Sequence, residues 1–440
     1  MLTAIPLPGW ADPEAVFLAL RGRSDGEFWL DAGAEAASGW SILGFGAVEH
    51  DPAHVRATPL GSPAVPGPVP FAGGWVGWLA YEDGAAAAGA PTAVGATTSA
   101  WIAVDRAVAF DHARRSMWAL ASDGAEVHAG ESWAAAVQAV PAEPIVTPPH
   151  PPAANTATAR DGVARYVDLV GECRAAIRRG DAYQLCLTTQ FSAPAPAQPV
   201  DAYRRLRRAT PAHHGGYLRI GDRHLLSASP EQFIDVSGDV VRTSPIKGTR
   251  PRGATPEEDA ALAAELRASE KERAENVMIV DLMRNDLSHI GVPGSVVVER
   301  LWEVESYPAV HQLVSTVSAR LQADLTFGAL CDAVFPAGSM TGAPKLSAMT
   351  ILHGLERGPR GVYAGCFGHV GLDGTVDLAM VIRSIVVDGE MASVGAGGGI
   401  TWLSEADAEA AEVATKARAP LAALGAKLPD DWAATLPDRR

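Results

Sequence analysis

Cysteine is scarce in this chain. Its 440 residues hold four, Cys173, Cys186, Cys331 and Cys366, scattered and with no C-x-x-C pair. That spacing excludes a disulfide framework and suits a reducing compartment. Positive charge is also in deficit: 36 Lys and Arg face 51 Asp and Glu, a net charge of −15. Such a balance argues against nucleic acid as a partner and against attraction to an anionic membrane surface. No apolar run approaches the length of a bilayer-spanning helix. The first residues, M-L-T-A-I-P-L-P-G-W, have neither a basic start nor a long apolar stretch, so no signal peptide is expected. These absences predict a cytoplasmic protein. An anionic ligand would have to be held by local positive features against the overall field.

Hydrophobic residues make up 48% of the chain, enough to build a large core. The clearest seam is P-A-E-P-I-V-T-P-P-H-P-P-A-A-N, residues 141–155, whose six prolines read as a stiff crossing. It suggests two regions. Residues 1–145 carry short strand-like runs (F-W-L-D, W-S-I-L-G-F, W-I-A-V-D) and read as β-rich. Residues 146–430 alternate amphipathic helices with strands.

Residues 224–247 read as a hairpin. Two β-branched runs flank Ser237-Gly238-Asp239, followed by S-P-I-K. A tight loop there sets Glu231 opposite about residues 244–246, which brings Lys247 within reach of the same small molecule. The alternative is an exposed cross-strand ion pair of small energetic value.

Glu272 and Glu275 are three apart in E-R-A-E, on a helical face that continues through Ile279 and Leu282. Glu409 and Glu412 repeat the spacing, with Lys416 one turn further and Ser404 and Asp407 spaced as a capping box. Either pair alone reads as a solvated face. Together, near glycine-rich loops, they suggest an all-oxygen site suited to Mg²⁺. One such loop is S-V-G-A-G-G-G-I (393–400), where backbone N–H groups are expected to curl around an anion. Its Ile400 breaks the dinucleotide fingerprint, which needs glycine there. A second, F-P-A-G-S-M-T-G-A-P-K (335–345), reads as another anion cradle or as a plain strand-to-helix connection. A-G-C-F-G-H (364–369) departs from an amidotransferase nucleophile turn at Ala364, so Cys366 is expected to be structural.

From Tyr166 to Arg418, long blocks in this order resemble the chorismate-utilising enzymes, which include the large subunits of anthranilate and aminodeoxychorismate synthases and the isochorismate and salicylate synthases. The blocks include S-A-S-P-E-Q-F, S-P-I-K-G-T-R-P-R, A-E-N-V-M-I-V-D-L-M-R-N-D-L, F-P-A-G-S-M-T-G-A-P-K and G-A-G-G-G-I. P-F-A-G-G-W-V-G-W-L-A-Y-E (70–82) resembles the N-terminal block of the first two subunits. The resemblance implies an α+β fold: two large antiparallel β-sheets packed together, helices outside and the site between them. It implies chorismate as substrate and Mg²⁺ held by Glu272, Glu275, Glu409 and Glu412. It implies Tyr363, Arg383 and the backbone of Gly397, Gly398 and Gly399 on the enolpyruvyl carboxylate. Thr249, His311, Thr341, Gly342 and Lys416 would complete the pocket. Members that add water have a lysine at position 184, and those that add ammonia resemble Gln184. Among the ammonia users, P-I-A-G-T resembles the anthranilate synthases and P-I-K-G-T the aminodeoxychorismate synthases, so Lys247 is expected to be a covalent nucleophile with Glu231 as acid. The resemblance further implies ammonia delivered by a glutamine amidotransferase subunit in a heterodimer. A tryptophan in the N-terminal region is implied only loosely, by F-W-L-D-A-G (28–33).

Overall fold

The computed structural model of the chain describes residues 1–61, 67–122, 129–140, 148, 155–307 and 310–436. Most of the proline-rich seam, 141–147 and 149–154, therefore lies outside the described residues.

Alternation along the strands builds the architecture. Phe28, Leu218 and Leu225 point into one hydrophobic cluster while their neighbours Trp29, Tyr217 and Leu226 point into another, so each strand buries both faces. One leaf of antiparallel strands runs, in spatial order, Ser116–Ser122, Ala100–Asp111, Trp40–Glu49, Gly26–Asp31, His214–Ile220, Arg223–Ser229, Ser384–Asp388, Met391–Ile400 and Gln184–Pro194. The other runs Gly74–Leu79, Cys366–Gly371, Val376–Met380, Gln232–Ser237, Val240–Thr243, Val310–Arg320 and Val297–Ser306. The leaves face each other across a shared core that includes Phe28, Leu218, Trp78 and Phe367. Helices cover the outer faces. Val163–Arg179, Pro199–Ala209 and Ala406–Leu424 cover the first leaf, and Glu270–Ser288 and Phe327–Val334 the second. This is the α+β arrangement of two packed antiparallel sheets that the resemblance implies.

Two features refine that expectation. The leaves are joined by hydrogen bonds, because the long strand Ala100–Asp111 pairs with Gly74–Leu79 through its first half and with Ser116–Ser122 through its second. The strands before residue 145 are also laced among the later ones: Gly26–Asp31 pairs with His214–Ile220, and Gly74–Leu79 with Cys366–Gly371. Hydrogen bonding thus does not break near residue 145. Within the N-terminal F-W-L-D-A-G, Trp29 is buried and Asp31 is held by Arg207, Tyr203 and Ser41. Among the described residues no helix is long and apolar enough to cross a membrane.

Candidate active site

A cavity of about 530 Å³ lies where the helices Glu270–Ser288 and Ala406–Leu424, one from each leaf, approach the strands Ile246–Pro251 and Met391–Ile400. Its size suits a small organic ligand.

Lys247 reaches this space through a bulge. Ile246 pairs with Val314 and Thr249 with Gln312, which leaves two residues opposite one and turns Lys247 and Gly248 out of the ladder. Gly248 has φ +82°, and a Cβ there would come within 3.0 Å of the Glu272 side chain. The glycine after the lysine thus lets Glu272 approach the backbone. Glu231 is 7% exposed. Burial pushes its carboxyl up to about 7, against the opposing pull of Lys247, the Ser339 hydroxyl and the Ile246 backbone N–H. The expected hairpin is shorter than the spacing predicts: its ladder covers only Asp235–Ser237 and Val240–Arg242. Beyond it the strands part, one to Val376–Met380 and the other to Val310–Arg320. Acid and amine are therefore fixed by separate neighbours, with the Ile246 N–H still reaching across to Glu231.

The glycine-rich stretch is a strand, not the expected curled loop. Gly397, Gly398 and Gly399 pair with Thr188, Leu187 and Cys186 along one edge. Pairing on the other edge ends at Ser393, so alternate backbone groups beyond it are turned from the ladder toward the cavity. Lys416 donates to the Gly397 carbonyl at 2.7 Å and pairs with Glu412 at 2.7 Å. Tyr363, Arg383, Thr249 and all four glutamates also line the space. The helix carrying Glu409 starts at Ala406, with Glu405 at its N-cap and no side-chain cap. The expected capping box is absent because the Ser404 oxygen accepts from the Thr401 N–H while its hydroxyl serves Glu409.

Burial pushes the Glu275 and Glu409 carboxyls up, whereas Lys416 pulls Glu412 down. Glu272 faces Arg250 at 3.6 Å and Glu275 faces Lys271 at 3.9 Å. Among the described residues no three acidic, histidine or cysteine side chains converge closely enough, as they stand, to hold an ion. The donor set is nonetheless all carboxylate oxygen, with two members whose charge burial disfavours. A hard divalent cation relieves that penalty, so the residues fit Mg²⁺ by chemistry.

Four expected residues lie off the cavity wall. His311 is buried and turned away, with Nδ1 on Ser306 (2.8 Å) and Nε2 on Asp259 (2.9 Å), where it holds the helix Pro256–Ala268. Thr341 is buried and donates to the Ala337 carbonyl. Gly342 pairs with Leu185, and a Cβ there would meet the Gln184 carbonyl oxygen at 2.1 Å. Gln184 is fully buried with both amide atoms unpartnered. Its Nε2 lies 2.7 Å, and the Lys247 Nζ 3.2 Å, from where a Gly399 Cβ would stand. Ser339, Met340, Lys271, Gln312 and Cys186 line the cavity unforeseen. They are single residues with no period or pairing to mark them. Cys366 is buried on a strand, its thiol pushed well up, as a structural cysteine requires.

Residues 28–422 match the family model described as chorismate binding enzyme. The chain is 43% identical over 377 residues to an aminodeoxychorismate synthase of Streptomyces pristinaespiralis, an overlap of 82% of this chain and 52% of that one. It is 38% identical over 354 residues to aminodeoxychorismate synthase component 1 of Klebsiella aerogenes, covering 79% of this chain and 76% of that one. Anthranilate synthase component 1 of Streptomyces coelicolor is 41% identical, over 82% of this chain and 74% of its own length. The chain spans about half the length of the first curated relatives it matches. Among solved structures, anthranilate synthase component I from Streptococcus pneumoniae superposes with a TM-score of 0.73 at 28% identity, covering 95% of this chain and 99% of that one.

Proposed function

Because the chain belongs to the family of chorismate-binding enzymes, we propose that it is the chorismate-aminating component of an aminodeoxychorismate synthase. The observation that carries this reading is that Lys247 lines one cavity with a buried Glu231 whose pKa is pushed up to about 7. A nucleophilic amine beside a carboxyl that keeps its proton near neutrality is the pair needed to displace a hydroxyl.

The Lys247 amine nitrogen bonds to ring C2, the ring double bonds shift, and the C4–oxygen bond breaks as Glu231 gives its proton to the departing hydroxyl, which leaves as water. Ammonia then bonds to C4, the double bonds shift back, the C2–nitrogen bond to lysine breaks and returns its electron pair to the amine, and the new ammonium group gives one proton back to Glu231. The product is 4-amino-4-deoxychorismate, with its enolpyruvyl group intact. Glu272, Glu275, Glu409 and Glu412 would hold Mg²⁺, which supplies positive charge to the substrate's ring carboxylate. Arg383 and the open edge at Gly397–Gly399 offer donors to the second carboxylate. A glutamine amidotransferase subunit would supply ammonia, and a separate lyase would complete 4-aminobenzoate.

The second reading is an anthranilate synthase component, favoured by the 41% identity to the Streptomyces coelicolor protein. Incubation with chorismate, Mg²⁺ and ammonium separates the two. An aminated product that keeps its enolpyruvyl group supports our reading; anthranilate and free pyruvate overturn it.

A further inference from the structure

A second cavity, of about 470 Å³, shares no wall residue with the candidate active site. It lies where the helices Pro52–Arg56, Tyr81–Ala87 and Phe327–Val334 meet the first residues of the strand Ala100–Asp111. Its walls carry three aromatic rings, Trp101, Phe327 and Phe335. Trp101 is 2% exposed and stands edge-on to Phe327, with ring centres 5.8 Å apart. Phe335 lies against the bare backbone of Gly84, where a Cβ would come within 2.3 Å of its ring. These contacts fix the rings, and a space of that volume suits one small organic molecule.

The charge around this space has one sign to spare. Glu49 and Asp83 line it, and among the described residues neither has a lysine or arginine partner. Asp83 accepts from the Ser99 N–H and hydroxyl. Glu49 accepts from the Asp51 N–H at 3.0 Å and faces His54 at 3.3 Å. The guanidinium in the wall, Arg56, is already taken: it donates to both Asp332 carboxylate oxygens at 2.8 Å and to the Gly328 carbonyl at 3.3 Å. Such a rim repels an anion and draws a cation, and the aromatic faces add a cation–π attraction. Phe335 also connects the two cavities. Its ring meets that of Phe233 at 6.1 Å, two residues after Glu231. It opens the stretch 335–345, whose Ser339 and Met340 wall the candidate active site.

We infer that this cavity is a second small-molecule site, for an aromatic ring carrying an amine, and that its occupant is coupled to the candidate active site through Phe335. The ring would lie among Trp101, Phe327 and Phe335, with the ammonium group at the rim between Glu49 and Asp83. This site goes beyond the aminating reaction and does not depend on which product that reaction forms.

The probes are 2-phenylethylamine and phenylacetate, which carry the same ring and opposite charge. Binding to the full chain is followed by saturation-transfer NMR. The amine should bind with a Kd on the order of 1 mM, ordinary for so small a molecule. Phenylacetate should bind at least about tenfold more weakly, and Asp83→Asn should weaken the amine about three- to tenfold. Ala87→Trp, at an exposed position in the wall, fills the space and should abolish binding while the melting temperature stays at the wild-type value. Coupling is reciprocal, so saturating chorismate with Mg²⁺, in the absence of ammonium, should change the amine's Kd at least about threefold. No binding of the amine, equal affinity for the two probes, or binding that survives in Ala87→Trp overturns the site. An affinity that chorismate leaves unchanged overturns the coupling. A wild type that forms anthranilate overturns the functional reading alone, since these binding results decide the second site by themselves.

Discussion

At the scale of single residues, the account turns on Lys247 and Glu231. Removing the amine in Lys247→Ala should lower kcat about 10³-fold or more, because a covalent route is lost and not merely a contact. Substrate binding, followed by quenching of intrinsic fluorescence, should survive. The carboxyl gives the pH dependence. Its pKa is raised from 4.5 to about 7, chiefly by burial, so the acid form is present below that value and is lost above it. At constant free ammonia the rate should therefore fall about tenfold per pH unit above roughly pH 7. Glu231→Gln should lower kcat about 10²- to 10⁴-fold and remove that limb. The same shift bears on stability. A carboxyl with a raised folded pKa contributes fully below its unfolded value, and the contribution is lost as pH rises to about 7. The melting temperature of the wild type should thus decline relative to Glu231→Gln between about pH 5 and pH 8.

At the scale of elements, the site depends on how neighbouring strands and helices are held. Arg360 and Glu356 are each 4% exposed. The Arg360 guanidinium bonds Glu356 at 2.6 and 2.9 Å, the Met340 carbonyl at 2.6 Å and the Cys186 carbonyl at 2.8 Å. One side chain thereby ties the helix Lys345–Glu356 to the strand and the loop that wall the cavity. Arg360→Ala should cost about 3–5 kcal/mol in denaturant unfolding, because Glu356 is left buried and unpaired. Gly399 has a subtler part. A Cβ there falls 2.7 Å from the Gln184 amide and 3.2 Å from the Lys247 amine. Gly399→Ala should displace both and lower kcat about 10²-fold, with little loss of melting temperature. How much of this was legible in the sequence varies by element. Helical spacing brought Glu272 with Glu275 and Glu409 with Glu412 onto shared faces, and the hairpin pattern brought Glu231 toward Lys247. The orientation of single side chains was not legible. His311 and Thr341 fall in the right blocks, yet their hydrogen bonds turn them away. Lys271 and Gln312 reach the wall only through tertiary packing.

At the scale of the whole molecule, the contrast in charge has a local answer. A chain of net charge −15 concentrates Lys247, Lys271, Lys416, Arg250 and Arg383 around one cavity. These cations, with a divalent ion among the four glutamates, would let a dianionic substrate enter against the overall field. Alternating periods showed a β-rich first region followed by alternating helices and strands, and the family resemblance supplied the α+β class. The lacing of the first strands into both leaves was legible in neither, since Gly26–Asp31 and Gly74–Leu79 meet partners more than a hundred residues away, and no local pattern encodes such pairing. The central claim is that amination at C4 proceeds through Lys247 and leaves the enolpyruvyl group in place. The most direct measurement is the product of chorismate, Mg²⁺ and ammonium with this chain alone, identified by mass spectrometry with free pyruvate assayed in parallel. The account predicts 4-amino-4-deoxychorismate and no pyruvate until a lyase is added. Anthranilate formed with stoichiometric pyruvate, without any lyase, would contradict it.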